Sequence, residues 1–183
     1  MLAQIIPDPL HPALVHFPIV LLLLGAPVAI AAAFTRRAHL PFIAAALLSL
    51  GALGSIVAVQ SGGEEEEIVE DALPNEAILH EHEEWAERTN ATAIVAALVA
   101  LGAVALTRKP TIARGLSITT AVIALAAAVG VGFTGHYGGK LVYQQGAGIH
   151  PRLATATDGN PTAGSADASS RRRHHDDDDD DDH

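Results

Sequence analysis

Apolar residues run along this chain in four continuous blocks without period-two alternation. Leu14 to Phe34 contains no ionisable side chain except His16, Leu40 to Gln60 and Thr89 to Leu106 contain none, and Ile112 to Phe133 has only Arg114. Each block is close to the roughly 20 residues that a helix needs to cross hydrocarbon. Abundant Ala and Leu favour helix over strand, and no block keeps the polar stripe that a helix of a soluble bundle requires. The pattern predicts an all-α integral membrane four-helix bundle in residues 1–150, with spans near 14–34, 40–60, 89–106 and 112–133 and a loop at 61–88. The segment before the first span has Asp8 and no Lys or Arg. A signal peptide would begin with a basic region, so the first span is expected to be a mature helix.

The connections orient the bundle. Two short turns hold Arg36, Arg37, Arg108, Lys109 and Arg114 and no acid, whereas the opposite side holds all 21 acidic residues. Basic short loops stay in the cytoplasm. The expectation is a multi-pass protein of the bacterial inner membrane with both termini and the 61–88 loop facing outward, and the lipid bilayer is its first partner.

The halves echo each other. Each has a histidine-containing entry, a span, a basic turn, a second span and a Gly-Gly pair, from His16 to Gly62-Gly63 and from His82 to Gly138-Gly139. This suggests a two-plus-two repeat of helical hairpins about an axis along the membrane normal, an arrangement that places shared sites between halves. Gly51, Gly54, Ser55, Ala58, Gly130, Gly132 and Thr134 are small enough to let helices approach closely. Between the halves, Pro74 and Asn75 predict a helix start, with Asn75 as N-cap and Glu76 in the first turn, continuing unbroken into the third span. Ile78, His82, Trp85 and Thr89 then share one face, and Trp85 fits an interfacial anchor.

Composition narrows the chemistry. The chain is 49% hydrophobic and only 4% aromatic, with a net charge of −10 spread over the body and the tail. No basic field exists to gather phosphates, so nucleic acid is not an expected partner. The absence of Cys excludes disulfides, thiol catalysis, Cys-ligated zinc, iron–sulfur clusters and covalently attached haem. Residues 151–183 end in seven successive Asp among His174, His175 and His183. They are too polar to build a core and are expected to form a disordered acidic tail.

Ten histidines are the main functional clue. His11, His16, His80, His82, His136 and His150 map to the outward side, and His39 alone maps inward. Imidazole is the commonest metal ligand and also holds haem iron axially. His16, where Pro18 frees the carbonyl of Leu14, His82 on its helix face, and His136 among glycines are the candidate ligands for haem b or a divalent metal; His80 and His11 are weaker ones. Each also has a purely structural reading, as a cap, a solvated side chain or a helix terminator. Gly130, Gly132 and Gly135 match G-x-G-x-x-G, but no strand precedes them and the dinucleotide fingerprint lacks its context. Asn90-Ala-Thr92 matches a glycosylation sequon at the membrane edge and is discounted. No charged residue lies deep in a span, against ion-coupled transport, and no pattern supports a named reaction, so an enzyme is not expected.

The run His11-Pro12-Ala-Leu-Val15-His16-Phe17-Pro18-Ile19, with Gly135-His136-Tyr137-Gly138-Gly139-Lys140-Leu141-Val142-Tyr143 and Gly146-Ala-Gly148-Ile149, resembles a bacterial family of four-span membrane proteins, domain of unknown function 2231, over residues 8 to 150. The family has no settled activity. Relatives joined to Rieske-type or cytochrome domains imply electron transfer near the outer face, with carry-over restricted to His16, His82 and His136. Two functions are therefore expected to compete. One is a b-type haem or metal-binding electron-transfer module with a redox partner; the other is a non-enzymatic membrane subunit or scaffold whose acidic loop and tail bind a protein partner or cations.

Overall fold

The computed structural model describes residues 11–35, 37–69 and 76–146, the side chains of 64–69 excepted. The acidic tail, His150 and the expected N-cap Asn75 lie outside the described residues. The elements are α1 His11–Leu14, α2 His16–Phe34, α3 Leu40–Val69, α4 Glu76–Ala105 and α5 Pro110–Gln145.

Local chemistry sets these boundaries. Pro18 cannot donate to the carbonyl of Leu14, and the helix is interrupted at Val15, although Val15 N–H still reaches the His11 carbonyl at 3.1 Å and Ile19 N–H the Val15 carbonyl at 3.2 Å. Helix α4 begins at Glu76, an acid in the first turn where the helix dipole favours it. It runs without interruption into the apolar block, as the sequence predicts. Pro110 opens α5 at a position where its missing N–H costs nothing. That helix ends only at Gly146, whose left-handed backbone (φ 73°) returns its N–H to the carbonyls of Leu141 and Val142. The glycine-rich stretch beyond Phe133 therefore continues the helix: each of its glycines costs helix propensity, but Gly138, which faces α4, makes room for a side chain there.

Four helices are long and apolar enough to cross a membrane. They stand in an up-down-up-down ring in which α2 touches α3, α3 touches α4, α4 touches α5 and α5 closes on α2. One end carries Arg37, His39, Arg108, Lys109 and Arg114 and is called here the basic end; the other carries His11, His16, His80, His82 and His136 and is called the histidine end. Large apolar residues such as Phe17, Leu24, Leu53, Leu98 and Val122 are exposed on the outside, while the core is built mainly from alanine with Leu22 and Leu48 as its largest fully buried side chains. That is the distribution lipid demands. Hydrocarbon solvates the large side chains as well as a core would, and small residues let helices draw together.

The repeat is visible residue by residue. At one constant shift, His11, Pro18, Leu22, Gly25 and Phe34 of the first half correspond to His82, Thr89, Ala93, Ala96 and Ala105. At another, Leu48, Gly51, Gly54 and Gly62 correspond to Ala124, Ala127, Gly130 and Gly138. Buried positions coincide along both helices: Pro18, Leu22, Gly25, Ala26 and Ala29 in α2 match Thr89, Ala93, Ala96, Ala97 and Ala100 in α4. The histidine equivalent to His82 is thus His11, and the sequence pairing with His16 is shifted by five positions.

Candidate functional site

The face of α4 that carries Ile78, His82, Trp85 and Thr89 meets α5. Trp85 stacks on Phe133 with ring centroids 4.4 Å apart and planes 17° apart, and Arg88, paired with Glu84 one turn earlier, lies over the Trp85 ring at 5.4 Å. Thr89 is buried against Gly130, where an added Cβ would come within 2.5 Å of the Thr89 Oγ1. Its hydroxyl lies 3.2 Å from that of Thr134. Because Thr134 donates to the Gly130 carbonyl at 3.0 Å, Thr89 is the donor between them. Its neighbour Asn90 faces the other way and accepts a hydrogen bond from Ser55 of α3 at 2.8 Å. Adjacent residues of α4 thereby tie it to both flanking helices. The sequon asparagine is a half-buried packing residue.

His82 sits one turn above Trp85, toward the histidine end. Its ring occupies a notch that Gly138 leaves in α5, where a Cβ would stand 3.1 Å from Cε1 and 3.3 Å from Nδ1. Nδ1 lies 2.9 Å from the carbonyl oxygen of Thr134. A carbonyl only accepts, so Nδ1 carries the proton in the neutral ring and Nε2 carries the lone pair. Thr134 lies within α5, between Phe133 and Gly135.

The other expected ligands have different surroundings. His16 is exposed, and its Nδ1 is 2.6 Å from the Pro12 carbonyl; the carbonyl that it meets is Pro12's and not the one that Pro18 frees at Leu14. His136 is exposed and packs edge-on against Tyr137, with centroids 5.4 Å apart. It lies two positions from Gly138, which is about 200° around the helix, so His82 and His136 take opposite sides of α5. The residue that meets His82 is Gly138. His80 is exposed, two positions from His82 on α4. Of the weaker candidates His11 alone repeats the setting of His82: its Nδ1 is 2.9 Å from the Ser61 hydroxyl and its ring covers Gly62. Sequence reasoning ranked it low, although one signal was present: a histidine seven residues before a buried position, facing glycines spaced eight apart, occurs in both halves. Gly132, expected to aid packing, has nothing near it. Among the described residues, no group of three or more His, Asp or Glu could hold a metal ion.

The sequence profile of one family, described as predicted membrane protein (DUF2231), matches residues 7–151. No curated protein and no solved structure matches the chain.

Proposed function

The chain belongs to the DUF2231 family of predicted membrane proteins, and from that premise we propose that it is a non-enzymatic membrane module whose histidine end binds a divalent transition-metal ion, with His82 as first ligand. The observation that carries this reading is the bond from His82 Nδ1 to the Thr134 carbonyl. A ring held in that tautomer keeps Nε2 as a ready donor, and such backing by a carbonyl is the usual support of a metal-ligating histidine. A copper or iron ion there would supply one-electron chemistry, which is how the site would serve a redox partner. By the rule that basic short loops stay in the cytoplasm, the histidine end faces outward in a bacterial inner membrane.

Haem b fits these residues less well. Axial ligation needs two imidazoles opposed across one iron, yet His136 takes the far side of α5 and His16 is engaged with the Pro12 carbonyl of α1. The His82 ring itself fills the Gly138 notch, so a macrocycle between α4 and α5 would have to displace it. The scaffold reading keeps one supporting observation: among the described residues, Glu76, Glu81, Glu83, Glu84 and Glu87 of α4 lie toward the histidine end, where a basic partner would meet them.

The test is metal analysis and an absorption spectrum of protein purified from its native membrane, with His174, His175 and His183 replaced by Ala to silence the tail. About one equivalent of a transition metal, lost in His82→Ala, is the expected result. A Soret band would replace the ion with haem, and a colourless protein that takes up no metal would leave the scaffold reading.

A further inference from the structure

The N-terminal hairpin repeats the His82 arrangement with one atom group interposed. A Cβ on Gly62 would meet His11 Cε1 at 3.2 Å and Nδ1 at 3.5 Å, much as one on Gly138 would meet His82 at 3.1 and 3.3 Å. Ser61 donates its hydroxyl proton to the Ala58 carbonyl at 2.9 Å, and Ala58 is the residue equivalent to Thr134. The Ser61 oxygen is then the acceptor for His11 Nδ1, 2.9 Å away. The first half reaches through a hydroxyl the same carbonyl position that the second half reaches directly. Both rings end in the same tautomer, with the lone pair on Nε2.

Bundle geometry brings the two rings to one level. Helices α3 and α4 are antiparallel neighbours joined by the hydrogen bond from Ser55 to Asn90. Counting from that bond toward the histidine end at about 1.5 Å per residue, Ser61 stands ~9 Å up α3 and His82 ~12 Å up α4. The two imidazoles are also near enough to interact electrostatically.

We propose that His11 and His82, one from each half of the repeat, together ligate a single divalent transition-metal ion through their Nε2 atoms. This rests on the reading of His82 as a metal ligand and adds its protein partner. Two imidazoles suit an ion of the Cu²⁺, Ni²⁺ or Zn²⁺ type, and water completes the coordination. The Ser61 hydroxyl and the Thr134 carbonyl orient the two rings from behind. The site uses the repeat as shared sites between halves generally do.

The experiment is Cu²⁺ titration of the full chain in detergent, in the background with His174, His175 and His183 replaced by Ala, read by bound metal and by electron paramagnetic resonance. One Cu²⁺ per chain with coupling to two nitrogens is expected, with binding weakened at least about tenfold in His11→Ala and in His82→Ala alike. Ser61→Ala, which removes no ligand, should weaken binding about tenfold while the metal-free protein melts as its parent does. This variant carries the test if His11→Ala fails to fold. Loss of binding in His82→Ala with parent affinity in both His11→Ala and Ser61→Ala would overturn the pair and leave the His82 reading standing. Parent affinity in His82→Ala, or no stoichiometric Cu²⁺ in any protein, would overturn both.

Discussion

The two hairpins share one helix register and fill it differently. Where α2 meets α3, large side chains press into glycines: Leu22 onto Gly51 and Leu48 onto Gly25, each so close that an added Cβ would come within 2.8 Å. At the four equivalent positions of α4 and α5 stand Ala93, Ala127, Ala124 and Ala96, all buried. A leucine with a glycine and a pair of alanines keep helices at similar separation, so the quantity held constant is the spacing of the helices and not the identity of any residue. Nearer the histidine end the contrast reverses in character. Gly54 faces Phe17 and Pro18 with no hydrogen bond, whereas Gly130 faces a threonine fixed by Thr134. At this level one hairpin closes by shape and the other by shape with a polar tie.

Exchanging the two packing styles gives the largest expected effect. Leu22→Ala should cost about 2–4 kcal/mol, because it leaves a void at a fully buried position. Gly51→Ala alone should cost ~1–3 kcal/mol by overpacking. Combined, they recreate the alanine pair of the second hairpin, and the double variant should be more stable than the sum of the single losses by at least about 0.5 kcal/mol. Strict additivity in detergent unfolding would break the equivalence of the hairpins.

Next in size is Gly130→Ala, expected to cost ~1–3 kcal/mol because its Cβ would run into a hydroxyl that is held in place. Gly54→Ala should cost less, since the nearest atom belongs to Phe17, which is exposed and free to swing. Equal losses in thermal unfolding would show that the polar tie contributes no rigidity. Thr89→Val keeps the shape and removes the hydroxyl, and should cost about 0.6 kcal/mol, the usual worth of such a bond between membrane helices. A loss above about 2 kcal/mol would mean that the tie dominates α4–α5 packing. The smallest effect is expected from breaking the ion pair of Arg88 by Glu84→Gln, about 0.3–0.5 kcal/mol for an exposed pair one turn apart, vanishing at high salt. The first hairpin has Phe17 at the position equivalent to Arg88 and no such pair.

How far these features were legible follows from what each depends on. The four apolar blocks, the start of α4 at Glu76 and the common face of His82, Trp85 and Thr89 follow from periodicity and local capping, which need no knowledge of neighbours. The extension of α5 past Gly135 and Gly139 was not legible, because it depends on side chains from α4 occupying the Gly130 and Gly138 notches. The choice of His11 over His16 as counterpart of His82 was hidden in the same way. His16 has the more suggestive local sequence, next to Pro18, while His11 acquires its role only when Ser61 and Gly62 arrive from α3. The sequon at Asn90 is discounted on its place at the membrane edge, but its packing role is not legible, because Ser55 comes from α3. In a bundle of alanine and glycine, what a polar residue does is written mostly in the helix opposite.

The Ser61–His11 and Thr134–His82 contacts each lie inside one hairpin, and this bears on how the protein is made. When α3 has left the ribosome, every group needed to fasten the first pair of helices has already been synthesised. The first pair can therefore close in the membrane before α4 exists, and the Ser55–Asn90 bond is a polar contact that then joins it to the second pair. Biogenesis would proceed as two insertions followed by one lateral assembly.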